Sequence, residues 1–209
     1  MNNYHYKYFN YIYNYISKLK KPIILELGVG DGITTSIFLK SLKKSKGQLY
    51  SVDNRDCSSL FNNKSWHFIQ SRDDNFSSVI KTINKKIDVI LLDTEHNPFH
   101  IEKVFYNYFP ILKRGGYFLI DGISWLPYVK GNYRDHFISE VTNYESFNKI
   151  LDIYYSNAKN VDLEFSFIGS GIAKIIKKKN NINIPIYFPR RTLSLVNFIR
   201  VVKNKIKSL

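Results

Sequence analysis

The stretch Ile23-Ile24-Leu25-Glu26-Leu27-Gly28-Val29-Gly30-Asp31-Gly32 decides the fold, together with a helix-like segment to Lys46 and then Gln48-Leu49-Tyr50-Ser51-Val52-Asp53. An apolar strand over 23–27 runs straight into a turn with glycine at 28, 30 and 32. Glycine has no Cβ and tolerates positive φ, so a turn of this kind lets the backbone approach a ligand closely. The helix beyond it presents unpaired N–H groups and a partial positive charge to whatever occupies the turn. A second strand, 48–52, ends on Asp53, an acid placed where a ribose diol is usually held. The segment reads as a nucleoside-cofactor site.

The glycine spacing narrows the cofactor. A dinucleotide fingerprint G-x-G-x-x-G needs glycine at position 33, where this chain has Ile33. Instead Glu26 sits at the strand end and the glycines alternate as G-V-G-D-G. That pattern resembles motif I of the class I S-adenosylmethionine-dependent methyltransferases, commonly written E/D-x-G-x-G-x-G. Their cofactor is a cation with an amino acid tail, so acids near the turn suit it where a pyrophosphate would be repelled.

From residue 22 the spacing predicts strand 23–27, helix 33–46, strand 48–52, a helix around 57–62, strand 66–70, helix 74–84, strand 87–92, helix 98–109 and strand 116–121. Such alternation implies right-handed βαβ units and a parallel α/β sheet. Continuous apolar runs at 87–92 and 117–121 fit strands buried on both faces. After a less regular stretch, 130–160, the runs at 163–169 and 172–178, split by Ser170-Gly171, look like a closing antiparallel hairpin. The resemblance implies a Rossmann-like seven-stranded sheet of order 3-2-1-4-5-7-6 with strand 7 antiparallel, covering residues 22–178. Residues 1–21 form an aromatic, polar-interleaved segment, either a helix against the sheet edge or a loose arm. Residues 179–209 form a basic amphipathic tail.

Further cofactor contacts follow from where such sheets bind ligands, beyond the carboxyl ends of the strands at the reversal of strand order. Gly28 and Gly30 stand there on strand one, Asp53 on strand two, Ser71 and Asp73 just after strand three, and Asp93 at the tip of strand four. By resemblance, Asp73 with Ser71 beside it takes the adenine amino group. Asp73 as the N-cap of the next helix is an equal alternative. Glu26 is divided between steadying the turn and touching the cofactor, and Thr34 and Thr35 fit the first turn of the helix.

The chemistry is expected at the tips of strands four and five. Asp93 ends the first, with Glu95, His96 and His100 beyond it; Asp121 ends the second, with Trp125 in the following loop. Neighbouring strands lie about 5 Å apart, so Asp93 and Asp121 could share a hard divalent cation such as Mg²⁺. Here the chain resembles metal-dependent O-methyltransferases of the catechol type and their macrolide-sugar relatives, which carry an Asp-Asn or Asp-Asp pair after strand five. This chain departs from them with Gly122 as the second member. Asp93-Thr94-Glu95-His96 also resembles bacterial small-molecule and sugar methyltransferases grouped with cephalosporin-hydroxylase-like proteins. A neutral imidazole at His96 could deprotonate a substrate hydroxyl, and Asp93 would serve beside it. The bland alternatives are a helix-start polar residue for His96 and a solvated one for His100.

The chain has 209 residues and 44% apolar content, enough for one domain with a sizeable core. A lone cysteine, Cys57, excludes an internal disulfide and points to a reducing, cytoplasmic setting. The net charge of +14 invites a nucleic-acid partner, yet 24 of the 31 basic residues are lysines in a chain crowded with Asn, Ile, Tyr and Phe. Phosphate and base recognition often favours arginine. The expected activity is methyl transfer from S-adenosylmethionine to an oxygen of a small molecule or sugar. The alternatives are a nucleic-acid methyltransferase, which would lack the N/D-P-P-Y/F motif here, and a non-catalytic S-adenosylmethionine-binding protein. In the tail, Leu193, Leu195, Val196, Phe198, Ile199, Val202 and Ile206 alternate with basic residues. This segment packs on its own domain, on a second subunit in a homodimer, or on an anionic membrane surface.

Overall fold

A computed structural model describes residues 9–125, 137–167, 170–184 and 195–207. Its seven strands are β1 (Ile23–Leu27), β2 (Gln48–Asp53), β3 (Trp66–Gln70), β4 (Ile87–Leu92), β5 (Leu112–Asp121), β6 (Val161–Ser166) and β7 (Ile172–Lys177). They form one sheet in the order β3-β2-β1-β4-β5-β7-β6. Pairings among β1 to β5 are parallel, and β7 runs antiparallel to both β5 and β6. The expected order is the observed one. Because β1 pairs with both β2 and β4, strand order reverses there, and the crevice opens beyond Leu27.

Among the described residues six α-helices accompany the sheet: α1 (Asn14–Ile16), α2 (Ile33–Ser45), α3 (Phe76–Ile83), α4 (Pro98–Tyr108), α5 (Phe137–Asn157) and α6 (Leu195–Lys207). The central strands are buried on both faces, which is why β4 reads as an unbroken apolar run. On one face Val79, Ile83, Ile101, Val104, Phe105, Tyr108, Ile150 and Ile153 from α3, α4 and α5 pack on the sheet. On the other, Ile37, Phe38 and Leu42 of α2 join Ile12 and Ile16. Each such fully buried side chain contributes about 1.5–3 kcal/mol relative to exposure.

Four expectations are corrected. The chain between β2 and β3 forms turns rather than a helix at 57–62, because Asp56 Oδ1 accepts from Ser58 N and Asn63 Oδ1 from Ser65 N. Such local bonds offer the backbone an alternative to the helical ladder. The 130–160 region, expected to be irregular, contains the 21-residue helix α5. Its buried stripe includes Asn143, Ser146 and Asn157 beside Ile150 and Ile153, so the apolar periodicity is diluted. The N-terminal segment lies over the sheet face next to α2 rather than at an edge: Tyr15 stacks on Tyr117 of the interior strand β5 at 3.6 Å between ring centroids. The helix expected over 74–84 begins at Phe76, with Asn75 as N-cap. Residues 4–8 of the N-terminal segment, and Arg190, Arg191 and Leu193 of the tail, lie outside the described residues.

Candidate active site

The glycine turn is shaped by what crowds it. Gly28 has φ 99°, and a Cβ there would sit 2.0 Å from the Asp93 carbonyl oxygen at the end of β4. Gly28 N donates to Val52 O and Asp93 N donates to Leu27 O, each at 2.9 Å, lacing the turn to both neighbouring strands. Gly30, at φ 56°, has open space where its Cβ would project. Side-chain-free backbone thus faces the crevice at the N-terminus of α2.

Asp53 closes the turn from β2. Its Oδ2 accepts from Val29 N at 3.0 Å and Gly30 N at 3.2 Å, and Oδ1 accepts from Arg55 N at 2.9 Å. Burial pushes its pKa up, but these backbone bonds outweigh it and hold the carboxyl below the usual range. Glu26 lies behind the turn, fully buried, its Oε2 accepting from Thr35 Oγ1 at 2.8 Å and Ser51 Oγ at 2.6 Å. Of its two readings the geometry favours the turn: it ties β1 to α2 and β2. Burial pushes its pKa up to about 8.

A pocket of about 330 Å³ lies above the turn, lined by Gly28, Gly30, Val52, Asp53, Asn54, Arg55, Ser71, Arg72, Asp73, Asp93, Thr94 and Glu95. Six of the seven anticipated cofactor residues meet there; Glu26 does not line it. Asp73 is not the N-cap of α3. It is 8% exposed, and its Oδ2 accepts from Thr94 Oγ1 at 2.6 Å and lies 2.7 Å from His100 Nε2. Burial alone would raise the Asp73 pKa, but the His100 and Thr94 bonds lower it on balance; the Asp73 bond raises that of His100. Both shifts favour the charged forms, carboxylate on Asp73 and imidazolium on His100. His100 is therefore buried rather than solvated, a correction with a legible cause. Positions 100, 101, 104, 105 and 108 form the buried stripe of α4, which Asn97 caps by accepting from Phe99 N and His100 N. A histidine on that stripe needs a partner, and Asp73 provides it.

Asp93, which lines the pocket, converges with His96 and Asp121. One ligand atom of each lies within 4.8 Å of the others, and His96 Nε2 is 4.0 Å from Asp93 Oδ1. Asp121 is fully buried and accepts from Ser170 Oγ at 2.7 Å. Ser146 Oγ of α5 donates to the His96 carbonyl at 3.4 Å. Gly122 has φ 75°, and a Cβ there would lie 2.3 Å from the His96 ring. The imidazole thus fills the space a side chain at 122 would need. The place of a side chain after β5 is taken by one from the loop after β4.

Residues 25–123 match the family model described as a methyltransferase domain. That match covers just under half of the chain, and the sheet order is that of the Rossmann-like methyltransferase fold. No curated protein matches the chain. Among solved structures it is similar to the MycE methyltransferase from the mycinamycin biosynthetic pathway in complex with Mg, SAH and mycinamycin VI. The identity is 21% and the TM-score 0.59, over 87% of this chain and 51% of that one. It is also similar to a Staphylococcus aureus protein assigned as a caffeoyl-CoA O-methyltransferase (17%, TM-score 0.60, 81% and 82%). A third is the SAH-bound Podospora anserina methyltransferase PaMTH1 (14%, TM-score 0.65, 84% and 78%). The chain spans about half the length of MycE.

Proposed function

We propose that this chain binds S-adenosylmethionine in the 330 Å³ pocket and transfers its methyl group to a hydroxyl of a small molecule or sugar. The observation that carries this reading is the meeting of Asp93, a lining residue of that pocket, with His96 and Asp121. Support also comes from neighbours named as O-methyltransferases or seen with SAH. The acceptor oxygen attacks the sulfonium-bound methyl in line: an O–C bond forms, the S–C bond breaks, and its electrons stay on sulfur. Positioning supplies much of the rate. His96, about a third exposed and beside Asp93, takes the hydroxyl proton as general base. Asp93 faces both the pocket and the histidine.

The three-residue cluster favours a second reading. Its donors fit a divalent cation, which Asp93, His96 and Asp121 would hold and which would polarise the acceptor hydroxyl. A nitrogen donor suits Mn²⁺, Fe²⁺ or Zn²⁺ better than Mg²⁺. Label transfer from S-adenosylmethionine to a panel of catechols and methyl hexosides decides between the two. With His96 as base, His96→Ala keeps SAH affinity and loses roughly 10²–10⁴-fold in turnover, while excess EDTA changes little. Turnover abolished by EDTA and restored by a divalent ion would make Asp93, His96 and Asp121 metal ligands instead, whatever the loss in His96→Ala.

A further inference from the structure

The C-terminal segment is set apart by charge and by exposure. From Phe165 to Leu209 there are ten basic residues and no acid. Within α6, Leu195, Val196, Phe198, Ile199, Val202 and Ile206 are between 40% and 76% exposed, although all are large and apolar. Positions 195, 198, 199, 202 and 206 recur at helical spacing, so they share one face. Arg200, Lys203, Lys205 and Lys207 are interleaved with them in sequence. An exposed apolar stripe of this extent on a basic helix calls for a partner that is apolar and anionic together.

We propose that α6 docks on the surface of an anionic phospholipid bilayer. Thirteen residues span about 20 Å, too short to cross the hydrocarbon, so the helix lies in the interface plane. Its apolar stripe enters the headgroup and acyl boundary, and the basic segment meets lipid phosphates. Charge separates this occupant from two others. A second copy on a two-fold axis would press two basic, acid-free segments together. A nucleic acid would neutralise the charge and leave Phe198 and its neighbours in water. Docking there would bring the methyltransferase domain to acceptors held at a membrane.

Co-sedimentation of the full chain with vesicles tests this. Phosphatidylcholine vesicles containing about 30% phosphatidylglycerol should bind at least tenfold more tightly than pure phosphatidylcholine, and less tightly as salt rises. Ile199→Glu should lower that binding at least tenfold and leave SAH affinity unchanged. In a Phe198→Trp variant, emission should shift to the blue on vesicles and be quenched by brominated acyl chains. Absent binding, equal binding to neutral vesicles, or binding indifferent to Ile199→Glu would overturn the proposal. So would a solution dimer, or a duplex-RNA complex, that Ile199→Glu dissolves.

Discussion

Asp53 carries two duties that a glycine-turn motif does not separate. Its carboxylate receives three backbone N–H groups, so it holds the turn in shape before any cofactor arrives. Asp53→Ala should weaken SAH binding by about 10–100-fold, the loss of charge-assisted bonds worth about 1.5–3 kcal/mol. Isothermal titration reads this directly. Unchanged affinity, or NAD(H) binding more tightly than SAH, would remove the cofactor assignment. Glu26 gives a pH signature. Its folded pKa of about 8 stands above the ordinary 4.5, so the folded state holds the extra proton between those values. Stability from this group is complete below pH 4.5 and lost as pH rises through 8, by a total on the order of a few kcal/mol. Urea midpoints should therefore fall between pH 5 and 8.5, and Glu26→Gln should flatten the fall. A slope unaffected by that substitution would place the titration elsewhere. Gly122 meets the His96 ring so closely that Gly122→Ala must displace the imidazole and strain a backbone at φ 75°. SAH affinity should survive that change while methyl transfer drops at least tenfold. Full activity in the alanine variant would mean the position of His96 is immaterial.

Elements with an apolar signal were legible in the sequence, and those with buried polar groups were not. β1, β3 and β4 match their expected spans because short, mostly apolar runs bounded by turns have few competing readings. Asp53, Asp93 and Asp121 were legible for the same reason: each ends such a run. α5 escaped because three of its buried positions are Asn143, Ser146 and Asn157, each satisfied by a distant partner. Asn143 Nδ2 donates to Ser124 O at 2.8 Å, and Asn157 exchanges bonds with Asn183 in both directions. Those partners lie 19 and 26 residues away, so no local pattern announces them. The Asp73–His100 pair was hidden likewise, by 27 residues of separation. The packing of His96 against position 122 depends on a φ value and a ring position that only the fold supplies. A helix held by such bonds is sensitive to single truncations. Asn157→Ala should cost about 1–3 kcal/mol by leaving the Asn183 N–H unpaired, while Tyr106 still donates to the Asn183 carbonyl. Chemical denaturation followed by circular dichroism measures it. A loss under about 0.5 kcal/mol, the range of an ordinary surface substitution, would show the contact to be incidental.

For the whole molecule, the sheet and the charge make separate demands. The sheet concentrates acids at the strand ends, Asp53, Asp73, Asp93 and Asp121, so the crevice is locally acidic inside a chain of net charge +14. No helix among the described residues is long and apolar enough to cross a membrane. A phosphodiester approaching the pocket would meet those carboxylates, which discourages a nucleic acid as the methyl acceptor. Away from the crevice the positive surface still attracts polyanions. Duplex DNA and structured RNA should therefore bind without sequence preference, with affinity falling steeply and log-linearly in salt as counterions are released. If six or more phosphates are neutralised, roughly a thousandfold is lost between about 50 and 200 mM salt. Filter binding across that range, with several unrelated sequences of equal length, provides the measurement. A complex that prefers one sequence and persists near 150 mM salt would show specific contacts beyond charge. Such a complex would overturn the proposed small hydroxyl acceptor in favour of a nucleic acid and leave the proposed cofactor site unaffected.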